Sequence, residues 1–138
     1  MRELVCTVAG LVGSALAYLF GGWDTAIVVL CVFMVIDLVT GVIVALVFHN
    51  SPKNTNGKLE SKPFWKGVAR KISTILLVCV SHLMDKVLGI DFLRTGTIIC
   101  FMTNETISIV ENCGLMGVPI PSPIRNGIEL LTKKENNT

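Results

Sequence analysis

Residues 26–48 read AIVVLCVFMVIDLVTGVIVALVF, with Asp37 as the single charge. As a helix this run is about 34 Å long, enough to cross a hydrocarbon core of about 30 Å. No soluble helix needs so continuous an apolar surface. The reading extends in both directions. Upstream, Leu4–Gly22 is uncharged. Ala15-Leu16-Ala17 resembles a signal-peptide cleavage site, but the segment before it offers only Arg2 beside Glu3, so the block is read as a retained span. Downstream lie a third apolar block, Ile72 to about Ile90, with His82, Asp85 and Lys86 toward its end, and a fourth, about Phe92 to Cys113, with Asn104, Glu105 and Glu111.

Composition agrees. Of 138 residues, 51% are hydrophobic and 16% charged, against roughly 25% charged in soluble domains. This excludes a disordered chain, a coiled coil, a disulfide scaffold and a soluble globular domain. The expected fold is an all-α integral membrane protein. It forms a single membrane domain over 1–138, with about four transmembrane helices (4–22, 26–48, 72–90 and 92–113), a basic loop 49–71 and a tail 114–138. Gly21-Gly22-Trp23-Asp24 and Gly89-Ile90-Asp91 separate the blocks. Gly117, Pro119, Pro121 and Pro123 stop the fourth. Ile124, Ile128 and Leu131 then recur at helical spacing, predicting a short amphipathic helix on the membrane surface.

Charge sets the orientation. Six of the twelve Lys and Arg lie between Lys53 and Lys71, where the only acid is Glu60. Flanked by apolar blocks, this is a cytoplasmic loop rather than a nucleic-acid patch. Lys66, Arg70 and Lys71 are expected to anchor the start of the third span by snorkelling. Both termini then lie inside. A three-span version, with the fourth block at the interface, puts the tail outside.

Asp37 and Glu105 fall near the middles of their blocks. A charge at mid-bilayer costs roughly 2.5–3.5 kcal/mol on insertion scales. Every Lys and Arg lies near a block end, so no counter-charge is visible at that depth. Three arrangements stay open: neutral acids, acids facing water in a pore, or acids hydrogen-bonded to neighbours such as Asn104, Thr40 or Ser108. Thr97, Asn104, Ser108 and Glu111 form a polar stripe on block four, bordered by Glu105 and Asn112. The pore or gating candidates are Asp37, Asn104, Glu105, Ser108 and Glu111. Small residues recur every fourth position at Ala9, Gly13, Ala17 and Gly21, and again at Gly41 and Ala45. Such faces let helices pack closely, within one chain or in a homo-oligomer.

Enzyme chemistry has no footing. There is no GxSxG, HExxH, P-loop or dinucleotide glycine pattern. His82 and Asp85, three apart, read as a local hydrogen bond. The five cysteines lie mostly in apolar blocks without metal-ligand spacing. No catalytic residue, cofactor or metal is assigned.

Three segments carry a resemblance. They are Trp23-Asp24 with Asp37-Leu38-Val39-Thr40-Gly41, the basic Lys66–Ile72, and Asn104-Glu105-Thr106-Ile107-Ser108-Ile109-Val110-Glu111-Asn112 followed by Gly114, Gly117 and Pro119-Ile120-Pro121. In this order and spacing the chain resembles the toxin-secretion/phage-lysis holin family from about Trp23 to Pro121. The resemblance implies a homo-oligomer in the bacterial cytoplasmic membrane that opens lesions at a set time or when the membrane potential falls. An endolysin or toxin leaves as cargo without stable binding. It carries no catalytic residues over. The alternatives are a small four-helix transporter or ion channel using the same acids, and a regulatory subunit such as an antiholin. One Tyr and two Trp, both at block ends that suit an interface, speak against an aromatic-walled transport site.

Overall fold

The computed structural model describes residues 1–49, 52 and 60–137. All elements among these are helical: α1 (Arg2–Phe20), α2 (Thr25–Ile43), which runs on into a π-helical turn (Val44–Phe48), α3 (Ser61–Leu88), α4 (Leu93–Leu115) and α5 (Ser122–Asn136). α1, α2 with its π turn, and α3 are each long and apolar enough to cross a membrane, and Thr25–Phe48 has a mean hydropathy of 3.0.

Local chemistry sets the boundaries. Gly21 ends α1 in the left-handed region at φ 77°, where a side chain would be strained. A Cβ there would also lie 2.7 Å from His82 Nδ1. Asp24 then caps α2, its Oδ1 accepting the Ile27 amide at 3.2 Å. The cap of α4 comes from a different helix: Asp85 on α3 accepts the amides of Leu93 at 3.0 Å and Arg94 at 2.9 Å. A carboxylate also suits the positive end of a helix dipole.

Helix α3 begins at Ser61, not near residue 72. The charged residues 61–71 therefore extend the third helix instead of forming its loop. Pro63 sits in the first turn, where its missing N–H costs nothing. The consequence is positional: Lys71 stands well inside a helix of 28 residues.

Helix α4 is central. It packs along α2 and α3 and carries α5 on another side, whereas α1 packs on α3. The interior is a cluster of Phe20, Ile27, Leu30, Met34, Val78 and Ile98. α1 contributes one buried residue, Phe20. Its Leu4, Val5, Val8, Leu11 and Val12 are exposed, as are Val28, Val32 and Val35 on α2 and Leu76, Val80 and Val87 on α3. Outward apolar surface on this scale is that of a helix bundle in lipid.

Candidate functional site

Two polar clusters tie α4 to the helices around it. The deeper one joins Asp37, Lys71 and Glu105. Lys71 Nζ donates to Asp37 Oδ2 at 2.7 Å and to Glu105 Oε2 at 2.5 Å. Asn112 Nδ2 donates to Asp37 Oδ1 at 3.1 Å and to Thr40 Oγ1 at 2.9 Å. Thr40 in turn donates to the Ile36 and Asp37 carbonyls. The side chains of Asp37, Glu105 and Lys71 are 7%, 13% and 17% exposed. This shielding strengthens their mutual attraction and makes an unpaired member costly.

Depth can be read along the helices. From Asp24 to Asp37 on α2, from Asp85 to Lys71 on α3 and from Arg94 to Glu105 on α4, the rises are about 20, 21 and 17 Å. The three residues therefore meet at one level, well below the turns that join the helices. The expected absence of a counter-charge is corrected here: Lys71 supplies it. Its position on an extended α3, rather than at the mouth of a loop, is the reason. The periodicity contains the signal. Phe64, Val68, Lys71, Ile75, Val78, His82 and Asp85 fall on one helical stripe, at alternating steps of four and three, and all are buried or half-buried.

The second cluster lies at the opposite end. Arg94, only 9% exposed, forks onto Asp24: Nη1 to Oδ2 at 2.8 Å and Nη2 to Oδ1 at 3.0 Å. Its Nε donates to the Phe20 carbonyl at 2.5 Å and Nη2 to the Gly22 carbonyl at 3.3 Å. One guanidinium thus gathers the end of α1, the following turn and the start of α2 onto α4. The Arg94 hydrogen bonds hold the Asp24 carboxyl below its ordinary value of 3.8, outweighing an opposite effect of burial. A carboxyl lowered by folding contributes stability above its unfolded pKa, and that contribution is lost as pH falls through the folded value. Acidification below 3.8 should therefore lower the melting temperature of the wild type more than that of Asp24→Asn. Parallel melting curves for the two proteins across that range would remove the effect.

The polar stripe of α4 divides. Thr97 turns to α3 and shares a 2.7 Å hydrogen bond with Ser81. Glu105 and Asn112 face the deep cluster, Asn104 and Glu111 are exposed, and Ser108 is half-buried. Of the basic residues 66, 70 and 71, Lys66 and Arg70 are exposed and Lys71 turns inward. Of the small residues, Ala45 is buried and Gly41 half-buried, while Ala9 is exposed. A Cβ at Gly10 or Gly13 would meet nothing within 4 Å. Ala17 is half-buried, and Gly21 abuts His82 and Arg94. The small-residue face of α1 is thus closed at one end and open at the other. Arg94 and the capping role of Asp85 escape the sequence reading: Arg94 meets Asp24 70 positions away, and Asp85 caps a helix other than its own, across a turn.

Comparisons with known proteins converge on one group. Residues 14–133 match the bacteriophage holin family. A probable holin of Bacillus phage phi105 is 33% identical over 118 residues, covering 85% of this chain and 81% of that protein. An uncharacterised protein of Clostridium acetobutylicum is 35% identical over 120 residues, covering 86% and 90%. An uncharacterised 14.9 kDa protein encoded in the nagH 3′ region of Clostridium perfringens is 32% identical over 126 residues, covering 89% of each chain. No solved structure matches the chain.

Proposed function

The chain belongs to the bacteriophage holin family, and from that premise we propose that it is a holin: it accumulates as homo-oligomers in the bacterial cytoplasmic membrane and opens lesions through which an endolysin, or a toxin, leaves the cell. The match over residues 14–133 carries the reading. The three long apolar helices support it, as does the size of the chain. A 15.0 kDa bundle has too little interior for a protein-sized passage, so the opening must form between copies. A fourth crossing by α4 is supported by its ties to α2, at Arg94–Asp24 near one end and Asn112–Asp37 near the other. The N-terminus and the C-terminal end of α4 then lie on the cytoplasmic side, together with the basic residues Lys62, Lys66 and Arg70 in the first turns of α3.

In this reading the Asp37–Lys71–Glu105 cluster holds α2, α3 and α4 in the closed subunit. Opening needs two arrangements separated by a few kcal/mol. A membrane potential acts on charges at about 2.3 kcal/mol per elementary charge per 100 mV, which is comparable.

The test is inducible expression in a bacterium that also makes a cytoplasmic endolysin, with turbidity and escape of a cytoplasmic reporter enzyme as readouts. A delay followed by abrupt lysis that needs both proteins, and is hastened by an uncoupler, is the expected result. Ion leakage without enzyme escape points instead to a channel or transporter. Intact cells at verified membrane expression point to a regulatory subunit. Glu105→Gln should change the lysis time by tens of per cent or more in the same assay; an unchanged time and yield removes Glu105 from gating.

A further inference from the structure

Helix α5 has the amphipathic pattern of the sequence but an unexpected position. Gly127, Ile128, Leu131, Thr132 and Glu135 are half-buried and form one helical stripe. The helix packs on α4 rather than standing apart from the bundle. The chain reverses after Leu115, with Gly117 in the left-handed region at φ 78° and Pro119 and Pro121 beyond it. α5 therefore runs back along α4, bringing the Glu135 carboxylate near the Cys100 thiol. From Leu115 back to Cys100 is about 22 Å along α4, close to the length of α5 itself.

α4 is tied to α2 from Asp24 to Thr40. α5 consequently lies at the level of the most apolar stretch of the chain. Yet its outer face consists of Arg125, Asn126, Glu129, Lys133 and Lys134, all exposed, with Leu130 among them. Asn104 and Glu111 on α4 are exposed as well. The exposed positions of α1, α2 and α3 are by contrast largely apolar, with Arg2, Glu3, Lys62, Lys66, Arg70 and Lys86 as their charged members. Charged side chains facing lipid at membrane depth are strongly disfavoured, and residues of this kind mark water-filled cavities. A bundle with apolar sides and one charged side satisfies both surroundings only if the charged side meets water.

We propose that α5 lines the aqueous passage of the assembled protein, remaining on α4 while α1, α2 and α3 face lipid and neighbouring copies. The proposal rests on the lesion-forming reading. It differs from a surface-lying tail, because it makes α5 part of the wall.

A chain keeping Cys100 as its only native cysteine, with Glu135→Cys added, tests this in the membrane. A short, reducible thiol-to-thiol cross-linker would join α5 to α4, and reporter-enzyme escape would be followed before and after linkage. The expected result is that linkage forms in membranes and at least half of the unlinked release persists. Two results overturn it. Linkage in detergent but not in membranes means that α5 has left α4. Linkage that abolishes release, with reductant restoring it, makes α5 a strap that must detach. A second measurement avoids the cross-link. With Glu129→Cys in proteoliposomes, an impermeant charged thiol reagent should react within a few-fold of its rate at Asn137→Cys; a rate lower by a hundredfold would mean lipid burial. If the wild type releases no reporter, the lesion reading fails by itself, while the cross-link still reports where α5 lies.

Discussion

Lys71→Gln is expected to lower the melting temperature of the purified, detergent-solubilised protein by about 10 °C or more, while Lys66→Gln and Arg70→Gln change it little. The reasoning is electrostatic. Lys71 stands between Asp37 and Glu105 at hydrogen-bonding distance from both. Removing it leaves two acids facing each other in a poorly solvated interior. Breaking a buried ion pair from one side costs about 3–5 kcal/mol, and each kcal/mol moves a domain of this size by several degrees. Lys66 and Arg70 are exposed, where single charges contribute about 0–1 kcal/mol. Neutralising all three members together, as Lys71→Gln with Asp37→Asn and Glu105→Gln, should recover most of the loss, because amides can hydrogen-bond to one another and no charge stays buried. Equal melting temperatures for Lys71→Gln and Lys66→Gln would show that the cluster does not hold the helices together.

The same residue shows how far the sequence could be read. Long apolar runs are self-evident, since a stretch such as 26–48 has few ways to satisfy its surface outside lipid. α1, α2 and α4 accordingly begin and end within about two residues of the expected blocks. α3 does not, because its first turns are polar and charged, and charge suits a loop and the exposed face of a helix equally well. Lys62, Lys66, Arg70 and Lys71 are good helix formers, and the stripe through Phe64, Val68 and Lys71 continues the pattern of Ile75 and Val78. A hydropathy boundary reports where lipid could begin, not where a helix does. Asp37 and Glu105 were legible as costly residues needing an answer. That answer was a cation 34 positions from each of them in the sequence, and only the packing of three helices brings it there. The placement of α5 was illegible for a similar reason: its apolar stripe suits a membrane surface or a helix partner equally well.

The outer cluster should matter as much as the deep one, through a different route. Arg94→Ala is expected to lower the melting temperature by about 10 °C and to loosen α1 from the bundle. Arg94 donates to the Phe20 carbonyl, the Gly22 carbonyl and both Asp24 oxygens. Its loss takes the guanidinium donors from four acceptor atoms at a crowded turn, and hydrogen bonds to charged groups contribute about 1.5–3 kcal/mol each. α1 has few other ties: Phe20 in the core, Gly21 against His82, and Tyr18, whose ring lies 3.7 Å from Lys86 Nζ. Arg94→Lys keeps the charge but not the planar fork, so it should recover less than half of the effect. A cysteine pair at Tyr18 and Lys86 reads the position of α1 directly. Cross-linking between these positions should be efficient with Arg94 and fall several-fold with Arg94→Ala. Undiminished cross-linking would mean that the apolar contacts at Phe20 alone hold α1, and that Arg94 serves only the junction of α2 and α4.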